Sequence, residues 1–359
     1  MKNFGIFASV LLLLACNKPE SNPGSSYNRG PMLENMGHNV IIPSYTFALE
    51  EIQSLVDAIE DFNATPNTTE LVAVKNKFFA AYHALQLITP YEFGPAENVA
   101  LRGNSNTYPT DTLKIENAIA SGQWNLDQLT FSDAKGLPAI DYLIFHTDAD
   151  SVISDFSADP NRKQFLKECA EEVMNKISEV HTQWLATGGN YIDHFVNQKG
   201  TDVGSGTGML VNALNQHFER FLRDGKIGIP VGIRSLGIAI PENCEAYYSE
   251  ISLDLALENL EAIRRMYIGK KWDGTDGEGL DDHLIAIGAQ DVDTQIREQL
   301  KVAEQALSGL QSPLSDYIIS NQSQVEAAYA ELQKLIVLFK VDMPSRLGVL
   351  ITYQDNDGD

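Results

Sequence analysis

The chain has 359 residues, with 49 Asp and Glu against 26 Lys and Arg, for a formal net charge of −23. A surface this acidic argues against nucleic acid as a partner and against direct adhesion to anionic lipid. Roughly 330 residues lie beyond the N-terminal segments, enough for one large or two medium cores.

Lys2 precedes an apolar run over residues 6–15 that is too short to span a bilayer. The run ends Leu13-Leu14-Ala15-Cys16, so residues 1–16 read as a signal peptide with a bacterial lipobox and Cys16 as the lipidated residue. An ordinary secretory signal with a chance cysteine is the competing reading. Residues 17–31 are rich in Asn, Ser, Pro and Gly and read as a flexible tether. The expected state is a globular body held to a membrane by an N-terminal lipid.

Beyond the tether the apolar periodicity is helical throughout. Residues 33–62 form a helical pattern that Pro43 is expected to kink or split. Residues 70–87 follow the capping sequence Asn67-Thr68-Thr69, and shorter helices are expected over 111–120 and 137–145. A long amphipathic helix covers 161–185, stopped by Gly188-Gly189. Another covers 204–224, followed by an irregular stretch over 226–248. Helical period resumes over 252–267, 280–287, 292–307 and 322–339, and 348–353 reads as a short strand or an extended tail. The fold class is therefore all-α. Glycine-rich stretches near residue 200 divide it into two four-helix-bundle-like halves, 32–200 and 201–359, packed together with an irregular central segment.

Recognisable catalytic sets are missing: there is no HExxH, zinc-finger spacing, GxSxG elbow or P-loop. Cys169 lies on the apolar stripe Phe165, Val173, Ile177 and reads as a buried inert thiol, although an exported compartment permits a Cys169–Cys244 disulfide. Asp141 sits in the apolar stretch GLPAIDYLIF at 136–145. If Pro138 opens the helix, Asp141 ends its first turn and gains from the helix dipole. It also shares the buried face of Leu137, Ile144 and Phe145, where a carboxylate needs a cation, a metal or several donors. Both readings stand.

GLPAIDYLIF resembles the GxHxxE-containing segment of the imelysin, or M75 peptidase, family. Five further segments agree in the same order: MGHNVIIPSY at 36–45, YEFGPAE at 91–97, KIGIPVGIR at 226–234, GEGLDDHLIAIGAQDVD at 277–293 and DMPSRLGVLITYQDNDGD at 342–359. The resemblance spans nearly the whole mature chain. It implies two related four-helix halves with a ligand pocket between them and a role in bacterial iron or haem uptake at the envelope. It implies an outer-membrane lipoprotein, periplasmic or surface-facing, and an outer-membrane iron transport system as partner.

The motif is altered where it matters. Gly136 matches the family glycine, but Pro138 stands for the histidine and Asp141 for the glutamate. Proline has no lone pair for a metal, so the paired His and acid are gone and metallopeptidase chemistry loses its support. The expected ligand-binding residues are Gly136, Pro138, Asp141, His38, Lys226 and Arg234. His38 and Asp141 are the candidate ligands for iron or another divalent metal, and Lys226 or Arg234 the candidate partners for Asp141 or an anion. Asp281 and Asp282 read as first-turn acids, and the tail from Asp355 to Asp359 as an incomplete calcium loop. The leading expectation is a non-catalytic binding protein. A metal-dependent peptidase and a scaffold subunit of an outer-membrane transporter are the alternatives.

Overall fold

The computed structural model describes residues 27–353. The signal peptide, Cys16, most of the tether and the acidic tail from Asp355 lie outside them.

Among the described residues the chain is helical without a strand. The first long helix, α1, joins Gly30–Glu34, a π-helical stretch Asn35–Ile41 and Ile42–Ala64. It is followed by α2 (Thr68–Ile88), whose N-cap Asn67 accepts from the Glu70 N–H at 3.0 Å as the Asn-Thr-Thr signal predicts. After the short helices Pro95–Asn98 and Leu101–Ser105 come α3 (Thr112–Ser121), α4 (Gly136–Phe145), α5 (Ala149–Ala158) and α6 (Pro160–Trp184). A short α7 (Tyr191–Asn197) leads to α8, which runs Gly206–Gln216, then π-helical His217–Gly228, then Ile229–Val231. The rest is α9 (Ser252–Ile268), α10 (Leu280–Ala286), α11 (Gln290–Ser308) and α12, which joins Leu314–Val337, Leu338–Asp342 and Met343–Leu347.

Helices before residue 200 pack chiefly on one another, with α2 and α6 against α1 and α4 against α6. Later helices do the same, with α12 against α11 and α8, and α9 against α11. The α9 helix also lies on α2, so one hydrophobic core runs without a break through both sets.

Pro43 does not split α1. Proline removes the N–H that would bond the carbonyl four residues back, here that of Asn39. The π-helical stretch carries the chain past this defect, and the freed Asn39 carbonyl accepts the Trp272 N–H at 2.9 Å. The same device recurs before Pro230 and Pro344, each of which follows a π-helical stretch. It explains why helix continues to Val231, where the glycine- and proline-bearing sequence predicts irregular chain from Lys226. Residues 349–352 are neither helix nor strand and are pinned by the Asn212 side chain: its Nδ2 donates to the Leu350 carbonyl and its Oδ1 accepts the Thr352 N–H. Cys169 and Cys244 are buried free thiols, so the permitted disulfide does not form.

Candidate functional site

The segment carrying Asp141 is fixed from its first residue. Lys135, extended and buried, sends its ammonium to Glu172 Oε1 at 2.6 Å and to the Leu126 carbonyl at 2.5 Å. Gly136 then opens α4 with φ +71°, and a Cβ there would lie 2.5 Å from the Ser105 carbonyl oxygen. Only glycine meets both constraints. Pro138 is the third helical residue, where no intrahelical N–H bond is lost. Helix therefore starts two residues earlier than the proline alone predicts. Asp141 falls in the second turn and is not a first-turn dipole acid.

The Asp141 carboxylate is 1% exposed. Its Oδ2 accepts the Tyr248 N–H at 2.9 Å and its Oδ1 the Ser249 N–H at 3.0 Å. Ala246 and Glu250, both with positive φ, bracket these two amides, so the carboxylate holds a strained turn in place. Burial pushes the Asp141 carboxyl up to about 7, with Glu245 adding to the rise and the Ser249 and Tyr248 hydrogen bonds opposing it. Pro138 and Asp141 line a cavity of about 120 Å³ with Tyr108, Cys244, Tyr247 and Tyr248.

Beside it lies a buried polar network centred on Glu245, which is 0% exposed. Glu245 Oε1 accepts from Asn106 Nδ2 at 2.7 Å and Gln86 Nε2 at 3.1 Å, and Oε2 pairs with the Lys226 ammonium. Gln86 also accepts from Asn259 Nδ2, and Asn259 Oδ1 meets His217 Nε2 at 2.9 Å. Asn259 uses its amide nitrogen elsewhere, so its oxygen faces the imidazole and His217 carries its proton on Nε2. Burial, reinforced by Arg102 and Lys226, holds the His217 pKa well below the ordinary value, and burial lowers that of Lys226 against the pull of Glu245.

The six expected residues do not converge. Gly136, Pro138 and Asp141 lie on one helix, and of the three only Pro138 and Asp141 line the cavity. Lys226 pairs with Glu245, and Arg234 pairs with Asp224 at 2.6 Å, so neither is the ion-pair partner of Asp141. His38 is exposed, pairs with Glu34 at 3.3 Å, and lines a separate groove of about 580 Å³ with Asn35, Lys271, Glu278 and Asp282. The Pro138 and Asp141 positions do not fit a resident metal. Proline offers no donor, both Asp141 oxygens take amides, and among the described residues no three His, Cys, Asp or Glu side chains are grouped to hold an ion. Asp281 and Asp282 do occupy a first helical turn, and Asp282 accepts the Gly279 N–H at 2.9 Å.

The residues that sequence reading misses are Glu245, Gln86, Asn106 and Asn259. For the two helical ones the local signal is a polar group on an otherwise apolar face, Gln86 four residues after Tyr82 and Asn259 four before Ile263; Glu245 and Asn106 lie outside helices and carry no such signal.

The imelysin (peptidase M75) family model matches residues 41–339. The chain belongs to the imelysin family. An iron-regulated protein A of Synechococcus elongatus is 23% identical over 309 residues, covering 81% of this chain and 79% of that protein. An iron-regulated protein A precursor from Parabacteroides distasonis has the same fold, with a TM-score of 0.74 at 15% identity over 93% of this chain and 97% of the other. An imelysin-like protein from Psychrobacter arcticum superposes with a TM-score of 0.68 at 16% identity, over 95% and 100%. Within this imelysin Asp141 ties α4 to the 244–250 turn.

Proposed function

We propose that this chain is a lipid-anchored, non-catalytic imelysin of the bacterial cell envelope that serves iron- or haem-linked uptake by binding. The observation that carries the non-catalytic part is the pair of backbone amides on Asp141. A carboxylate engaged at both oxygens, next to a proline in place of histidine, offers neither a metal ligand pair nor a free base. The iron connection rests on the names of the relatives from Synechococcus and Parabacteroides. The membrane connection rests on the lipobox and Cys16. We place the meeting of two related halves at the boundary near residue 200; the cavity of about 120 Å³ between α4 and the 244–248 turn is the candidate for a small ligand other than a bare metal, and is too small for a haem.

Purified full-length protein incubated with an unfolded polypeptide tests the catalytic question. We expect no cleavage with or without added divalent metal. Chelator-sensitive cleavage that disappears in Asp141→Ala, in a variant that still folds, overturns the reading in favour of a peptidase. Iron-dependent growth of a deletion strain tests the uptake role separately, and fatty-acid labelling lost in Cys16→Ser tests the anchor.

A further inference from the structure

The turn that leaves α8 shows an apolar tip to solvent. Leu236 is 100% exposed, Ile238 68% and Ile233 39%. Leu236 also has φ +56°, a left-handed conformation that disfavours a leucine, so chain geometry alone would select glycine or asparagine there. The tip is rigid. Gly237 N–H donates to the Gly232 carbonyl at 2.9 Å and Ile238 N–H to the Ser235 carbonyl at 3.0 Å. Gln322 Nε2 from α12 donates to the carbonyls of Val231 and Gly237 at 3.0 and 2.9 Å, and Arg234 is tied to Asp224. An exposed, strained and well-braced apolar tip brings the fold no burial, so its use lies outside the chain.

We propose that this tip inserts into the interfacial layer of a zwitterionic lipid bilayer; the proposal rests on the anchored state of the preceding section. Charge is the first argument. On a chain of net charge −23, residues 231–240 carry no carboxylate and one cation, Arg234, which Asp224 balances. This is surface that leaves lipid without repulsion, whereas anionic headgroups repel the body around it. Reach is the second. Ten residues separate Cys16 from Tyr27 and span at most about 35 Å. Tyr27 and Asn35 are bonded beside the C-terminal end of α9, and the tip precedes residues 241–251, which lead to its N-terminal end. The 17 residues of α9 measure about 25 Å, less than the tether can span. Size is the third. Three side chains on a convex tip fall short of the roughly 800 Å² per partner of a stable protein interface, but a membrane already held close by a lipid needs no such area.

The test uses the full chain with Leu236→Ser/Ile238→Ser, whose exposed side chains leave the fold unaffected, as a melting curve verifies. With lipidated protein, the partition coefficient for co-flotation with phosphatidylcholine vesicles is expected to fall at least tenfold in the double variant, and to weaken when phosphatidylglycerol is added. With lipidated protein on the same vesicles, the amides of 232–240 are expected to exchange more slowly than in the free protein, and the double variant to lose that protection. Flotation and exchange that ignore the substitutions overturn the proposal while leaving the anchor intact. Protection that appears only when envelope proteins are present overturns it in favour of a protein partner. A failure of Cys16 labelling with tip-dependent flotation preserved sinks the anchor and leaves the tip.

Discussion

Burying the Asp141 carboxylate is unfavourable, and two backbone N–H donors offset only part of the cost, so its pKa settles at about 7 against 3.8 for an ordinary Asp. The folded state therefore holds this proton more tightly than the unfolded chain does. The stabilisation is fully present below about pH 4 and is lost as pH rises through 7. Asn at 141 accepts one amide and turns its NH₂ toward the other, leaving a buried donor unsatisfied. We expect Asp141→Asn to cost about 1–3 kcal/mol near pH 5, with the gap to the parent narrowing toward pH 8. Urea unfolding at the two pH values reads this directly. A gap that widens with pH means that the ionised form is the one the turn prefers. Asp281, raised to about 7 by burial and by Asp282, adds a slope of the same sign that both proteins share.

At the scale of elements, what the sequence shows is set by local signals. Asn67 acts within one turn of the residues it caps, so the capping sequence Asn67-Thr68-Thr69 marks the start of α2 in the sequence. The π-helical stretches were not legible, because their stabilising partners lie elsewhere; the carbonyl that Pro43 frees is taken by Trp272, far along the chain. The same holds for the site. Asp141 was identifiable as an odd acid, but its partners Tyr248 and Ser249 are 107 and 108 residues away. Gly136 was legible only as a family glycine, and the structure supplies its reason. Alanine there must adopt φ +71° with its Cβ 2.5 Å from the Ser105 oxygen. We expect Gly136→Ala to destabilise by about 2–4 kcal/mol, the sum of left-handed strain and a backbone clash. A thermal melt unchanged within a degree would mean that α4 can restart at Leu137.

Across the whole molecule, one buried carboxylate gathers the parts. Glu245 binds Gln86 on α2, Asn106 after the Leu101–Ser105 helix and Lys226 on α8, while its carbonyl accepts the hydroxyl of Ser252 at the start of α9. Helices from both sides of residue 200 thus depend on one side chain, and the shared core adds to the coupling. We expect a single urea transition, coincident by far-UV circular dichroism and by the fluorescence of Trp124, Trp184 and Trp272. Removing one partner of a buried ion pair leaves the other uncompensated, so Glu245→Ala and Lys226→Met should each cost about 3–5 kcal/mol. An isolated buried pair would recover nearly all of that loss when both are replaced by apolar residues. This pair should not, because Lys226→Met/Glu245→Met still strands the Gln86 and Asn106 amides that Glu245 accepts. A double-mutant cycle therefore separates the two cases: partial recovery assigns Glu245 the role of a hub, and full recovery reduces it to the counter-ion of Lys226.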